Sequence, residues 1–199
     1  MPRVSLKNII NVILIILCLS VVSCAGPQPD HAYKLPERKS KPSIDVPKLE
    51  KTIHSFINKE RQRNGLSPIV WDDSLAEIAR KHSKDMSKRN YFDHNSPEGH
   101  DFVYRYQRDG YQCSIRVDRT IHEGAENIAL NNLYDSVTTI NGKVFYDWNS
   151  QNKIAETTVQ GWMHSPGHRR NILEPFWKHE GIGLFIGPDD KVYITQNFC

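Results

Sequence analysis

Residues Gly161–Leu173 read "GWMHSPGHRRNIL" and place His164 and His168 four positions apart. The zinc-protease motif H-E-x-x-H has the same spacing. There an unbroken helix puts residues i and i+4 on one face, and a glutamate between the histidines serves as general base. Neither condition is met here, because Ser165, Pro166 and Gly167 stand between them: proline lacks the N–H that a helix interior needs, and glycine favours a turn. A helix is expected to break at "SPG". The two imidazoles need not point the same way, and chemical partners for His168 must come from other parts of the chain.

Working outward, Lys153–Met163 carries Ile154, Val159 and Trp162 at helical spacing, and "VTTINGKVFY" sets β-branched and aromatic residues on both sides of Asn141-Gly142, a strong signal for a two-residue hairpin. Downstream, "GIGLFIGPDDKVYITQNF" alternates around a Pro-Asp-Asp turn and reads as a second hairpin that supplies core strands. From Pro47, Leu49, Ile53, Phe56 and Ile57 form one stripe of a first helix ending at Gly65. Asp73 or Ser74 can cap a second helix with Leu75, Ile78, Ala79, His82 and Met86 on one face, which makes His82 a hydrogen-bonded core histidine. "YFDHNSPEGH" is loop, a short helix near Asp101–Asp109 closes at Gly110, and "GYQCSIRV" reads as a strand. Helices lie at both ends of the strand region instead of alternating with strands, so the expected class is α+β, a mainly antiparallel sheet with helices on both faces.

Residues 1–23 run from Arg3 and Lys7 through an apolar stretch, Ile9–Leu19, to small residues before Cys24: an export signal, or else an uncleaved anchor, though the stretch is short for a membrane span. "VVSC" resembles the bacterial lipobox, which implies a lipidated Cys24 at the mature N-terminus and a cell-envelope, extracytoplasmic location. Residues 24–46 are rich in proline and read as a disordered linker, leaving 47–199 as one domain. Over the whole chain 26 basic side chains face 23 acidic ones, and the near balance implies no nucleic-acid partner. With Cys18 in the leader and Cys24 taking lipid, Cys113 and Cys199 remain, as one disulfide in an oxidising compartment or as two buried thiols.

Four separated strings, "LAEIARKHSKDM", "NYFDHNSPEG", "GAENIA" and "GWMHSPGHRRNIL", resemble in order the CAP superfamily (cysteine-rich secretory proteins, antigen 5, pathogenesis-related 1), also called the SCP domain. The resemblance spans most of residues 50–199 and implies an α-β-α sandwich with a shallow cleft. In "GAENIA" the glycine, Gly124, stands one place earlier than in the family's G-E-N-I. By position the resemblance carries the cleft residues onto His94, Glu126 and His168. A second family glutamate, three residues after the tryptophan, corresponds here to Ser165. Glu156, two turns before the tryptophan, is a candidate to compensate. His164 is then a surface or packing residue, and Asn127, Arg169 and Asn171 are scaffold.

Two neutral imidazoles, His94 and His168, could hold a divalent cation such as zinc at about 2.0–2.1 Å, with Glu126 and water completing the set. Alternatively the same residues form a structural hydrogen-bond network. The expected function is a membrane-tethered, non-catalytic binding module for a small apolar ligand, a divalent cation or an envelope partner. Lipid or sterol binding enters through the resemblance. The aromatic residues Tyr134, Phe145, Tyr146 and Trp148 suit either an apolar rim or a hairpin packed on the domain. The alternative is a metal-assisted hydrolase with Glu126 as base. A serine hydrolase fits less well, since Ser165 lacks a G-x-S-x-G elbow.

Overall fold

The computed structural model describes residue 37 and residues 39–199; the leader, the lipobox and Cys24 lie outside the described residues. In chain order the elements are α1 (Val46–Arg63), β1 (Val70–Trp71), α2 (Asp73–Arg89), α3 (Phe102–Arg108), β2 (Ile115–Val117) and β3 (Thr120–His122). There follow β4 (Ala125–Asn132), β5 (Tyr134–Ile140), β6 (Lys143–Trp148), α4 (Gln151–His164), α5 (Pro166–Leu173), β7 (His179–Ile186) and β8 (Lys191–Phe198).

One sheet of order β1-β7-β8-β4 forms the centre, antiparallel except for the parallel β1–β7 pair. Alternation along β7 sorts its neighbours. Ile182 and Leu184 turn to a core that includes Leu49, Ile53 and Ile57 of α1 with Ile154, Val159 and Trp162 of α4. Gly181 and Gly183 turn to the opposite face, where α2 lies so close that a Cβ on either glycine would come within 2.0 Å of a backbone nitrogen, Ala76 or Arg80. The result is the expected three layers, with α2 on one face of the sheet and α1 and α4 on the other.

Helix ends follow local chemistry. After α1, Gly65 adopts φ +75°, and the amides of Gly65 and Leu66 return to the carbonyls of Gln62 and Arg61. The α2 cap falls one residue earlier than Asp73: Asp72, extended as it leaves β1, accepts from the amides of Ser74 and Leu75. Met86, Leu75 and Ala79 are buried, and His82 is only 2 % exposed, its Nε2 donating to the Asp93 carbonyl (3.1 Å).

Two regions differ from the sequence expectation. "GYQCSIRV" contributes only Ile115–Val117, which pairs with β3 in a separate two-stranded ribbon, because Cys113 is drawn instead to Cys199 at the end of β8. The two cysteines stand at disulfide distance, with Cα atoms 5.6 Å apart. The segment before α1 is held from Lys39 on: Ile44 and Val46 pack on the core, Asp45 and Gln151 exchange hydrogen bonds, and Lys39 pairs with Asp147 (3.2 Å). The hairpin β5–β6 turns at Asn141-Gly142, both at positive φ as the dipeptide predicts, and forms its own two-stranded sheet.

Candidate functional site

The break at "SPG" is where the site begins. α4 ends at His164, Ser165 is extended (φ −90°, ψ 119°), and Pro166 opens α5. His164 remains on the surface with its Nδ1 donating to the Gln160 carbonyl (2.7 Å). His168, one turn into α5, faces His94 of the α2–α3 loop, with ring centroids 6.4 Å apart and planes at 54°.

Glu126 on β4 is the pivot. Its carboxylate is buried, and each oxygen is engaged: His94 Nδ1 donates to Oε1 (2.9 Å) and the Arg105 guanidinium donates to Oε2 (2.6 Å). His82 Nε2 approaches Oε1 at 3.9 Å. Arg105 also donates to the carbonyls of His94 and His100, both at 3.0 Å, so one side chain of α3 fixes the carboxylate and the loop that carries His94. Gly124 introduces this strand at φ +115°, where a Cβ would lie 2.8 Å from the Phe198 carbonyl and from the Tyr106 ring. The close approach accounts for a glycine two residues before Glu126.

Behind the carboxylate runs a buried polar chain. Asn171 of α5 donates to the Glu126 carbonyl (3.2 Å) and to Asn127 Oδ1 (2.9 Å), while Asn127 donates to the His168 carbonyl (3.2 Å) and to Gln196 Oε1 (3.0 Å). Gln196 in turn donates to Glu180, whose other oxygen accepts from His54 of α1. Asn127 and Asn171 are thus scaffold that docks α5 on β4. Arg169 instead reaches Asn64 at the end of α1 (3.3 Å). Glu156 is exposed on α4 and lines a depression with Phe56, Lys59 and Glu60, so it does not supply the absent second carboxylate. Ser165 makes no side-chain cap bond.

Sequence reasoning overlooked Arg105, Gln196, Glu180 and His54. Arg105 is 4 % exposed within "FVYRYQR", where nothing in the spacing distinguishes it from Arg108. Glu180 did carry a signal, an acid at the start of an otherwise apolar alternating strand, "HEGIGLFI".

The electrostatics set the two site histidines apart. The hydrogen bond to Glu126 raises the His94 pKa above the ordinary histidine value, against the opposing effect of burial. Burial, and then the charge on His94, lowers that of His168. With Nδ1 committed to Glu126, His94 in its neutral form presents Nε2 as a free acceptor, the tautomer that metal-binding histidines use. Two imidazoles on one tetrahedral zinc would have centroids about 5 Å apart, closer than the observed pair. Among the described residues no group of three or more His, Cys, Asp or Glu is placed to hold a metal ion, so any ion here would rest on two protein ligands and solvent.

Comparison with known proteins agrees with this architecture. A model of the cysteine-rich secretory protein (CAP) family matches residues 54–198. The chain is 34 % identical over 159 residues to YkwD of Bacillus subtilis, covering 80 % of this chain and 51 % of that one. It is 32 % identical over 149 residues to the Bacillus subtilis membrane protein YlbC, covering 75 % and 34 % respectively. The chain therefore spans about half of the first relative and a third of the second. An extracellular SCP-domain protein from Bacillus anthracis superposes with a TM-score of 0.57 at 29 % identity, over 80 % of this chain and 44 % of that one. An outer surface protein of Borrelia burgdorferi shares the fold alone, with a TM-score of 0.57 at 17 % identity over 80 % of this chain and 97 % of that one. With the family match running from α1 to the end of β8 and the quoted motifs meeting around Glu126, the chain belongs to the cysteine-rich secretory protein (CAP) family.

Proposed function

We propose that this chain is an extracytoplasmic, membrane-tethered binding module whose His94–His168 cleft takes a divalent transition metal weakly and presents it to a partner in the cell envelope. The observation that carries this reading is the state of Glu126. A general base needs a free carboxylate oxygen within reach of the reacting water, and here Arg105 and His94 occupy one oxygen each. That arrangement favours a carboxylate that orients an imidazole over one that abstracts protons. The cavity beside the cleft, about 320 Å³, is lined by charged and polar groups including His82, Arg89, Ser96, Glu98 and Arg105, which suits an ionic ligand better than a free apolar one.

Calorimetric titration of zinc into the full chain, His94→Ala and His168→Ala at pH 7.5 tests the proposal. Binding by the wild type and loss in both variants is the expected result. Equal heats from all three would place the metal elsewhere. Peptide hydrolysis by the zinc-loaded wild type that disappears in Glu126→Gln would overturn the non-catalytic reading in favour of the hydrolase.

A further inference from the structure

The hairpin β5–β6 stands outside the main sheet, and one of its faces is uncharged. Val144, Tyr146 and Trp148 alternate onto that face, and the register sets Thr139, Val137 and Tyr134 opposite them. Tyr146 stacks on Trp148 at 4.8 Å and Tyr134 meets both edge-on, giving an aromatic cluster at the base of the hairpin. Farther out, Val137, Val144 and Tyr146 are 45 %, 41 % and 39 % exposed. Lys143 follows the turn. Solvated strands normally carry polar groups on the side away from the core, so an apolar face on this free hairpin marks an interaction surface.

The chain itself indicates what covers it. Lys39 is bound to the base of this hairpin, its carbonyl accepting from Trp148 Nε1 (3.1 Å) and its ammonium paired with Asp147 (3.2 Å). The first residue of the continuously described chain, Lys39, thus lies at the base of this hairpin. Fifteen residue steps separate Cys24 from Lys39, a reach of at most roughly 50 Å. We infer that the exposed face of β5–β6 docks on the lipid bilayer, with Val137, Val144 and Tyr146 entering the headgroup–acyl boundary and Lys143 meeting anionic headgroups. The inference rests on the tethered reading above, because a lipid on Cys24 supplies the high local concentration that lets a few side chains suffice. Docking in turn fixes which end of the domain faces the membrane.

The test uses full-chain protein reconstituted with phosphatidylcholine–phosphatidylglycerol vesicles carrying brominated acyl chains, which quench tryptophan on contact. Trp148, stacked on Tyr146, is the built-in reporter. Quenching of the wild type, reduced about tenfold in the triple variant Val137→Ser, Val144→Ser, Tyr146→Ser and lost in Trp148→Phe, is expected for interfacial insertion. Because all three serine substitutions are at exposed positions, matching thermal melts will show that the fold is intact. Equal quenching of wild type and triple variant overturns the inference. So does a doubled mass in solution that the triple variant reverses, which would assign the face to a second copy of the chain. If detergent-phase partitioning shows no difference between the wild type and Cys24→Ser, the tether reading fails, and quenching by added vesicles still decides docking on its own.

Discussion

Arg105 and Glu126 form a buried ion pair at 2.6 Å, with the two side chains only 5 % and 1 % exposed, and the same guanidinium ties down the loop that carries His94. Removing one partner of such a pair strands the other in a medium that solvates it poorly. Arg105→Ala is expected to lower unfolding free energy by about 3–5 kcal/mol, measured in urea. Arg105→Met with Glu126→Gln should recover part of the loss. A loss below about 1 kcal/mol for Arg105→Ala would show that the pair is not a support of the fold.

The pH dependence of metal binding follows from the histidine shifts. The pKa of His168 is lowered from the ordinary histidine value, chiefly by burial, whereas that of His94 is raised by its hydrogen bond to Glu126. Metal must displace the His94 proton, so affinity should fall as pH drops through a midpoint above about 6.5. Glu126→Gln should move that midpoint down. As for stability, a raised folded-state pKa means that the His94–Glu126 bond contributes fully below the unfolded histidine value and that the contribution fades as pH rises through the folded one. A chemical-shift titration of His94 in the folded protein gives the folded value, and a midpoint below that of free histidine would contradict the assignment.

Cys113 and Cys199 stand 86 residues apart in sequence, and their link would join the entry to β2 with the last strand. Intact-mass analysis of exported protein alkylated without reductant should find no free thiol on either. Cys113→Ser with Cys199→Ser is expected to cost about 2–5 kcal/mol.

Gly181 and Gly183 have no room for a methyl group, whereas Gly167 has none of these close neighbours. Gly181→Ala is therefore expected to destabilise by about 3 kcal/mol or more, beyond ordinary overpacking, while Gly167→Ala should leave the melting temperature nearly unchanged. Equal melts for the two variants would mean that α2 can shift away from the sheet at little cost.

The architecture was largely legible in the sequence because it rests on local rules. Asn141-Gly142 can hardly do other than turn, the stripe Leu49–Ile53–Ile57 has to be buried, and Pro166 cannot sit inside a helix. His94, Glu126 and His168 were reached by resemblance, and no spacing rule would have brought together a loop, a strand and a helix. What stayed hidden was the support: Arg105 lies on a short helix with the look of a solvated one, and the chain Asn127–Gln196–Glu180–His54 depends on how the residues of three strands fall in register. Polar pairing across a sheet is a property of the assembled fold, and periodicity carries no trace of it. The α2 cap moved to Asp72 for a related reason, since the parallel pairing of Trp71 with Glu180 ends the strand just there.

The contact of α2 with Gly181 and Gly183 also bears on how firmly the cleft is held. At those two glycines backbone lies on backbone, so α2 has no side chain there to compress, and the loop it feeds is clamped by Arg105. On the other wall, His168 rides on a two-turn helix joined to α4 through the extended Ser165, with no side-chain cap to stiffen the joint. That helix is nonetheless tied to β4 by Asn171 and to α1 by Arg61, which donates to the Ile172 carbonyl, so both jaws of the cleft hold their imidazoles on anchored elements.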